Sequence, residues 1–422
     1  MKVLLKQAKI VCSASSYNGQ SKDILIDKDI IVAIKDNIND DFANIISIEG
    51  LHVSIGWMDV FAHFSDPGLE HRETIQTGSN AAAAGGFTDV LLIPNTKPVI
   101  HNKSQVGYLV QQSKSLPVNL HPIGAVTKDA AGKELAEMYD MQHSGAIAFG
   151  DGINSIQDSG LLIKALQYIK PFNGTLIQIP EDKSIGTNGL MNEGIISTRL
   201  GLPGKPAMAE ELMVARDIKL TSYCSSSLHF TGVTTAKSIE YIQRAKNAGI
   251  AITCSVTPYH LFFCDEDLQQ YDTNLKVNPP IRAKQDRDAL LVALLDGTVD
   301  CIASHHIPQH ADSKICEFEY AKPGMIGLES LFGVVWWLVN SQWSIGKLVE
   351  ILTHAPRKIF NINIPQIEEG AIACLTLFNP AISYTFDETM IQSKSKNSPF
   401  TGKQLKGKVI GIINKNQLVL NK

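Results

Sequence analysis

The feature that most limits what this chain can fold into is an alternation sustained from residue 55 to about residue 355. Short apolar runs, among them 87–95 (FTDVLLIPN), 145–151 (GAIAFGD), 174–180 (GTLIQIP), 250–258 (IAITCSVTP) and 299–306 (VDCIASHH), take turns with stretches of helical periodicity such as 207–218 (AMAEELMVARDI) and 234–248 (TTAKSIEYIQRAKNA). Strand and helix in repeated alternation make parallel βα units, and at this length the expected form is a closed (β/α)8 TIM barrel. Before and after it the pattern is strand-rich: 2–11, 23–34 and 44–56 at the front, 372–380 and 406–420 at the back, with Asn18-Gly19 as a turn signal. The two ends are expected to pair into one small β-sandwich domain, residues 1–54 with 357–422, beside a barrel domain of residues 55–356.

Composition narrows the function classes. Of the 422 residues 44% are hydrophobic and 19% charged, ordinary for a globular protein with a filled core. A formal net charge of -4 without a basic run argues against nucleic acid and anionic membrane as partners. No eighteen-residue apolar segment suggests a transmembrane helix, and Lys6 and Lys9 interrupt the N-terminal apolar stretch, which reads as a strand rather than a signal peptide. Seven cysteines, widely spaced and without a CxxC pair, argue for reduced thiols and a cytoplasmic location; they read as buried small hydrophobes rather than ligands.

In a barrel, chemistry sits at the C-terminal ends of the strands, so the informative residues follow each apolar run. In order they include Asp66-Pro67-Gly68, Pro94-Asn95-Thr96, Gln157-Asp158 with Gly160, Glu181-Asp182, Ala215-Arg216-Asp217, the run Lys276 to Arg282 (KVNPPIR), Gly324 with Ile326-Gly327-Leu328-Glu329, and Asn397-Ser398-Pro399-Phe400 with Gly402. That series resembles the dihydroorotases of the amidohydrolase superfamily, in particular the type that associates with aspartate carbamoyltransferase, and the resemblance covers nearly the whole chain. It implies ring opening or closure of dihydroorotate by a zinc-held hydroxide. It also implies an aspartate that shuttles the proton and an arginine that grips the substrate carboxylate in a two-pronged hydrogen bond.

Most of that equipment is replaced here. Where the family reads His-x-His-x-Arg, this chain has Phe61, His63 and Ser65. Two further family histidine positions hold Ile179 and Gly232, and the final station, Asp-His-Ala-Pro-His in the family, reads His305-His306-Ile307-Pro308-Gln309. His305 therefore stands at the acid-base aspartate position and Gln309 at that of a substrate-binding histidine. Of six expected ligand or acid-base positions only His63 and Asp151 remain, as vestigial metal ligands, and a catalytic zinc needs about three protein ligands. The expectation is a non-catalytic dihydroorotase relative with no cofactor, or at most one weakly bound zinc, that forms a homodimer and partners aspartate carbamoyltransferase.

Competing readings remain open. His305, His306 and His310 could form a relocated metal site, and an active amidohydrolase would require His63, Asp151, His305 and His306 to converge on one ion. Asn95 and Asn278, which face the substrate in the family, are candidates for residual small-molecule binding, as is Arg282, for which a structural role is at least as good a reading. His229 and His260 read as hydrogen-bonded core or rim histidines. No G-x-S-x-G motif supports a nucleophilic serine at Ser65 or Ser304, and Gly85-Gly86 reads as a helix–strand packing point rather than a phosphate loop.

Overall fold

The computed structural model describes residues 1–421. Five strands open the chain: β1 (Lys2–Ile10), β2 (Ser21–Asp27), β3 (Ile30–Lys35), β4 (Asn44–Ile46) and β5 (His52–Ile55). Three close it: β16 (Leu375–Thr385), β17 (Gln404–Asn414) and β18 (Gln417–Leu420). The two groups share one eight-stranded sheet, ordered β18-β17-β16-β5-β1-β2-β3 with β4 also on β1, and the join is the antiparallel pairing of Leu375 with Ile55 and Leu377 with Val53. Alternate residues bury one face, with Val3, Leu5, Ile24, Ile26, Val53, Leu375 and Leu377 in a common core. Two runs that read as single strand segments are hairpins. The turn at Lys28 (φ 58°) divides β2 from β3, and Lys415 and Asn416 (φ 49° and 56°) divide β17 from β18.

Between these groups lie the barrel strands β6 (Trp57–Ala62), β7 (Phe87–Leu92), β8 (Asn119–Gly124), β9 (Ala148–Phe149), β10 (Leu176–Gln178), β13 (Leu228–Thr231), β14 (Ile252–Val256) and β15 (Cys301–Ile302). They pair in that order, all in parallel. A small two-stranded excursion, β11 (Met191–Asn192) with β12 (Gly204–Lys205), interrupts the series. The ring closes where the chain just past β15 meets the end of β6, at the Ala62–His306 bridge and the hydrogen bond from His63 N to His306 O (2.8 Å). Asp59, fully buried on β6, reinforces the seam by accepting from Ser304 N (2.6 Å) and Ser304 Oγ (2.8 Å).

Helices cover the barrel, among them α1 (Ile75–Ala84), after which α2 (Lys103–Ser113), α3 (Met138–His143), α4 (Ser159–Ile169), α5 (Ile195–Leu200), α6 (Met208–Cys224) and α7 (Ala236–Asn247) follow in turn. The series ends with α8 (Pro258–Phe262), α9 (Lys284–Asp296), α10 (Leu331–Val339) and α11 (Ile345–Ile359). At Gly85, after α1, a Cβ would come within 2.4 Å of Leu328 O, so the pair Gly85-Gly86 does mark a close approach. At the base, Arg357 of α11 reaches Asp89 of β7 (2.6 Å), which also binds His121 (2.9 Å) and Asn119 (3.1 Å). Six of the seven cysteines are buried and all are free, and no helix among the described residues is long and apolar enough to cross a membrane.

Candidate functional site

The strand ends deliver the expected side chains to the barrel mouth, but each is turned toward a protein partner. His63 follows β6, with Nε2 3.1 Å from Asn95 O and Nδ1 3.3 Å from Ser65 Oγ. Its burial, reinforced by the positive charge of Arg72, pushes its pKa down to about 4, so the ring is neutral near pH 7. Asp151, past β9, accepts from Thr127 N (2.9 Å) and Thr127 Oγ1 (2.5 Å), and burial raises its pKa from the ordinary value against the pull of those two bonds.

The positions at which the resemblance implies further ligands are filled by packing. Phe61 and Ile179 are buried in one apolar cluster with Ile93, Ile123 and Ala303 inside the barrel. The His305 ring stacks on Phe61 (centroids 4.3 Å apart, planes at 27°), and its Nε2 lies 2.8 Å from Thr231 Oγ1. It occupies the space over Gly232, where a Cβ would stand 2.6 Å from His305 Cε1. From Thr231 a polar chain continues inward: Ser255 Oγ donates to Thr231 Oγ1 (3.0 Å), and His229 bridges Ser255 (3.1 Å) and Thr253 (2.8 Å). Desolvation pushes the pKa of His229 and of His305 down to about 3. His229 is thus a hydrogen-bonded core histidine, as is His260, held by Thr257 (2.9 Å) and Pro279 O (3.1 Å).

These residues do not suit a metal ion. Among the described residues no three His, Cys, Asp or Glu side chains come close enough together to hold one. His305 faces Thr231, while His306 points the other way, 3.5 Å from Glu73 and 3.3 Å from Gly327 N. His310 instead packs edge-on against His71. The set His63, Asp151, His305 and His306 therefore does not converge, nor does the trio His305, His306 and His310. A dication set among Phe61, Ile179 and Gly232 would lose its hydration without gaining ligands.

A pocket of about 240 Å³ remains above this plug, and its polar lining is His63, Arg72, Asn95, Asn278, Gln309 and Lys322. Asn95 and Asn278 are both there, yet their amides are engaged within the protein. Asn95 donates to Asp151 O (3.0 Å) and accepts from Ile153 N (3.0 Å). Asn278 donates to Glu181 (2.8 Å) and accepts from Lys205 (2.7 Å), and Lys205 is also ion-paired with Glu181. Arg282 lies elsewhere, buried and bonded to Thr234, Asn192 and Lys205 O, which makes its role structural. Sequence reasoning missed Arg72, Lys205 and Lys322. A search for cations in the loops after barrel strands would have raised Arg72, seven positions past the serine that replaces the family's arginine.

The chain's architecture joins a parallel eight-stranded barrel to a sheet built from both chain ends. Two solved structures share it over this whole chain: the L-hydantoinase (dihydropyrimidinase) of Arthrobacter aurescens (TM-score 0.84, 22% identity, 96% of that chain covered) and the dihydropyrimidinase of Brevibacillus agri NCHU1002 (TM-score 0.80, 20% identity, 95% covered). At that identity the likeness establishes the fold. Sequence comparison is more specific: a family model described as "Dihydro-orotase-like" matches residues 52–238. Proteins named dihydroorotase from Syntrophus aciditrophicus (37% identical, 97% of each chain), Carboxydothermus hydrogenoformans (39%, 96% of this chain and 95% of the relative) and Acetivibrio thermocellus (38%, 100% and 99%) align end to end. The chain belongs to the dihydroorotase family.

Proposed function

We propose that this protein is a dihydroorotase-family member of pyrimidine biosynthesis that does not hydrolyse the cyclic amide and instead serves as a structural or regulatory partner of aspartate carbamoyltransferase. One observation carries the reading: the space a metal centre would need is packed by Phe61, Ile179 and the His305 ring over Gly232, and the chain offers no three converging ligands among the described residues. The residues that remain hold a scaffold together, which suits a protein retained for its surface. The partner and the homodimer come from the family resemblance.

The test is metal content and turnover on the same zinc-supplemented preparation, followed by co-purification with aspartate carbamoyltransferase. The reading expects less than about a tenth of an ion per chain, well short of a catalytic zinc site, and no ring opening of dihydroorotate. One or two ions per chain with kcat above about 1 per second would overturn it. The active alternative, a cyclic amidohydrolase with altered ligands, draws support from the name dihydroorotase borne by relatives 36–39% identical. It requires His63, Asp151, His305 and His306 to leave their present partners and gather, and stoichiometric zinc lost on H306A would be its signature.

A further inference from the structure

A second cavity lies away from the barrel mouth, between the β16–β17 hairpin, the end of α1 and the residues that lead into α10. It measures about 360 Å³ and shares no lining residue with the pocket above the plug. That volume falls within the roughly 300–1,000 Å³ of small-molecule sites. Its walls are fixed by contacts of the fold itself. Asn421 pins the last described strand to α1, its Nδ2 donating to Ala84 O (2.8 Å) and Val409 O (3.0 Å). The Tyr384 hydroxyl lies against α10, where a Cβ on Gly333 would come within 2.5 Å of it. Glu329 Oε1 accepts from Gln392 N (3.2 Å) and Ser393 N (3.0 Å) and so holds the start of the segment 391–400. The same segment braces the barrel mouth, where Ser395 Oγ donates to Arg72 O (2.7 Å).

These contacts leave charges of both signs unused. Glu329 is only 8% exposed, yet its Oε2 has no hydrogen-bond or ion-pair partner among the described residues and opens on the cavity. Lys408, half-buried on β17, and the Tyr384 hydroxyl line the same space and are likewise without side-chain partners there. No ion pair joins Glu329 to Lys408 among the described residues, so neither charge cancels the other. Burial raises the Tyr384 pKa, which keeps its hydroxyl neutral and able to donate. A buried carboxylate oxygen with nothing to bind is costly, and a ligand that meets it recovers that cost.

We propose that this cavity binds a small amino acid as its zwitterion, with the ammonium on Glu329 Oε2 and the carboxylate on Lys408 and the Tyr384 hydroxyl. Phe386 and Met390 supply an apolar wall for an aliphatic side chain. A simple amine or a simple carboxylate answers one charge and strands the other, so the cavity selects for both on one molecule. Because Glu329 and Tyr384 are held by the fold before any ligand arrives, the ordering cost of binding is small.

Calorimetry on the full-length protein tests this with three probes of one shape: L-valine, isovalerate (the same skeleton without the ammonium) and isobutylamine (the same skeleton without the carboxylate). Valine should bind, and each single-charge analogue about tenfold or more weaker. K408M, which breaks no side-chain bond of the fold, should weaken valine about tenfold or more and leave isobutylamine unchanged. E329Q keeps an acceptor for the two backbone N–H groups but drops the charge, and should weaken valine and isobutylamine alike. Hydrogen exchange locates the site: valine should protect residues 384–392 and 408–409. No heat at millimolar valine, an analogue binding as tightly as valine, full affinity in K408M, or protection confined to the loops of the barrel mouth would each overturn the assignment; if E329Q does not fold, K408M decides. Ring opening of dihydroorotate, which would end the non-hydrolytic reading, leaves this assignment standing, since the two pockets have no residue in common.

Discussion

Replacing Gly232 with alanine should reveal how firmly His305 fills the space over that glycine. Two penalties apply to G232A. The glycine sits at φ +67°, where a side chain costs about 1–2 kcal/mol. Its new Cβ would also stand 2.6 Å from Cε1 of a ring pinned by Phe61 on its face and Thr231 at its Nε2, so the ring must move, at about 1–3 kcal/mol. Together G232A should cost about 2–5 kcal/mol. H305A alone should cost about 2–4 kcal/mol, through the lost stack, the lost bond to Thr231 and the hole left behind. In the H305A background the steric penalty vanishes, and adding G232A should cost only the backbone part, about 1–2 kcal/mol. The cycle therefore predicts a coupling of about 1–3 kcal/mol between the two sites. Urea denaturation of the four proteins measures it. If G232A costs the same in both backgrounds within about 0.5 kcal/mol, the effects are independent and the plug reasoning is wrong.

Two further outcomes follow from buried charge. In the folded chain His63 is pushed down to about 4, and His229, His260 and His305 to about 3, against 6.5 when unfolded, so between these values the unfolded chain binds more protons. Stability from these rings is fully present above about pH 6.5 and is lost as pH falls toward about 3; Asp217, raised to about 6 by burial, works in the opposite direction, as do Asp59, Asp151 and Asp300, which burial also raises. The urea midpoint should drop between about pH 6.5 and 5.5, less steeply in H229Q, and a flat midpoint would contradict the neutral assignment. At the base, burial disfavours the Asp89 charge, but hydrogen bonding from His121 and the Arg357 charge hold its pKa well below the usual range. R357M should therefore cost about 3–5 kcal/mol in chemical denaturation, with D89N/R357M recovering part of it; a loss under about 1 kcal/mol would show that the pair is dispensable.

The barrel was legible because its signal is local: each apolar run and each helical period can be read within a dozen residues. The hairpins were less so, since the turn residues Lys28 and Lys415-Asn416 take positive φ without a glycine to announce it. At the site, the replaced residues could be identified one by one, but not what took the space. That His305 lies over Gly232, 73 positions away in sequence, depends on ring closure between β6 and the chain after β15, and that Arg72 enters the pocket depends on a tether from Ser395. Both are contacts between distant segments, and periodicity carries no information about them.

The motifs that raised the family resemblance have a common physical character. Arg216 donates to Gln157 O (2.6 Å) and Ile156 O (2.7 Å), fixing the loop that leads into α4. Glu210, outside those motifs but buried on the same helix α6, works alike: it accepts from Thr234 N and Thr235 N (both 3.0 Å) and so holds the start of α7. Arg282 ties Thr234 to the β11–β12 excursion, and Asn397 ties the segment 391–400 to the loops after β15. In each case a charged or amide side chain satisfies backbone or buried polar groups that would otherwise be stranded, and removing one leaves an unpaired buried group. Such residues resist replacement whether or not the barrel performs chemistry. Metal ligands differ: once the ion is gone, a buried histidine or carboxylate without a partner is a liability, and Phe61, Ile179 and Gly232 are apolar or lack a side chain. His63, Asp151 and His305 are polar, and each has a hydrogen-bonding partner in Ser65, Thr127 or Thr231. Under the proposed non-hydrolytic reading, a dismantled centre inside an intact scaffold is what stability alone would leave, and survival of these motifs then reports architecture.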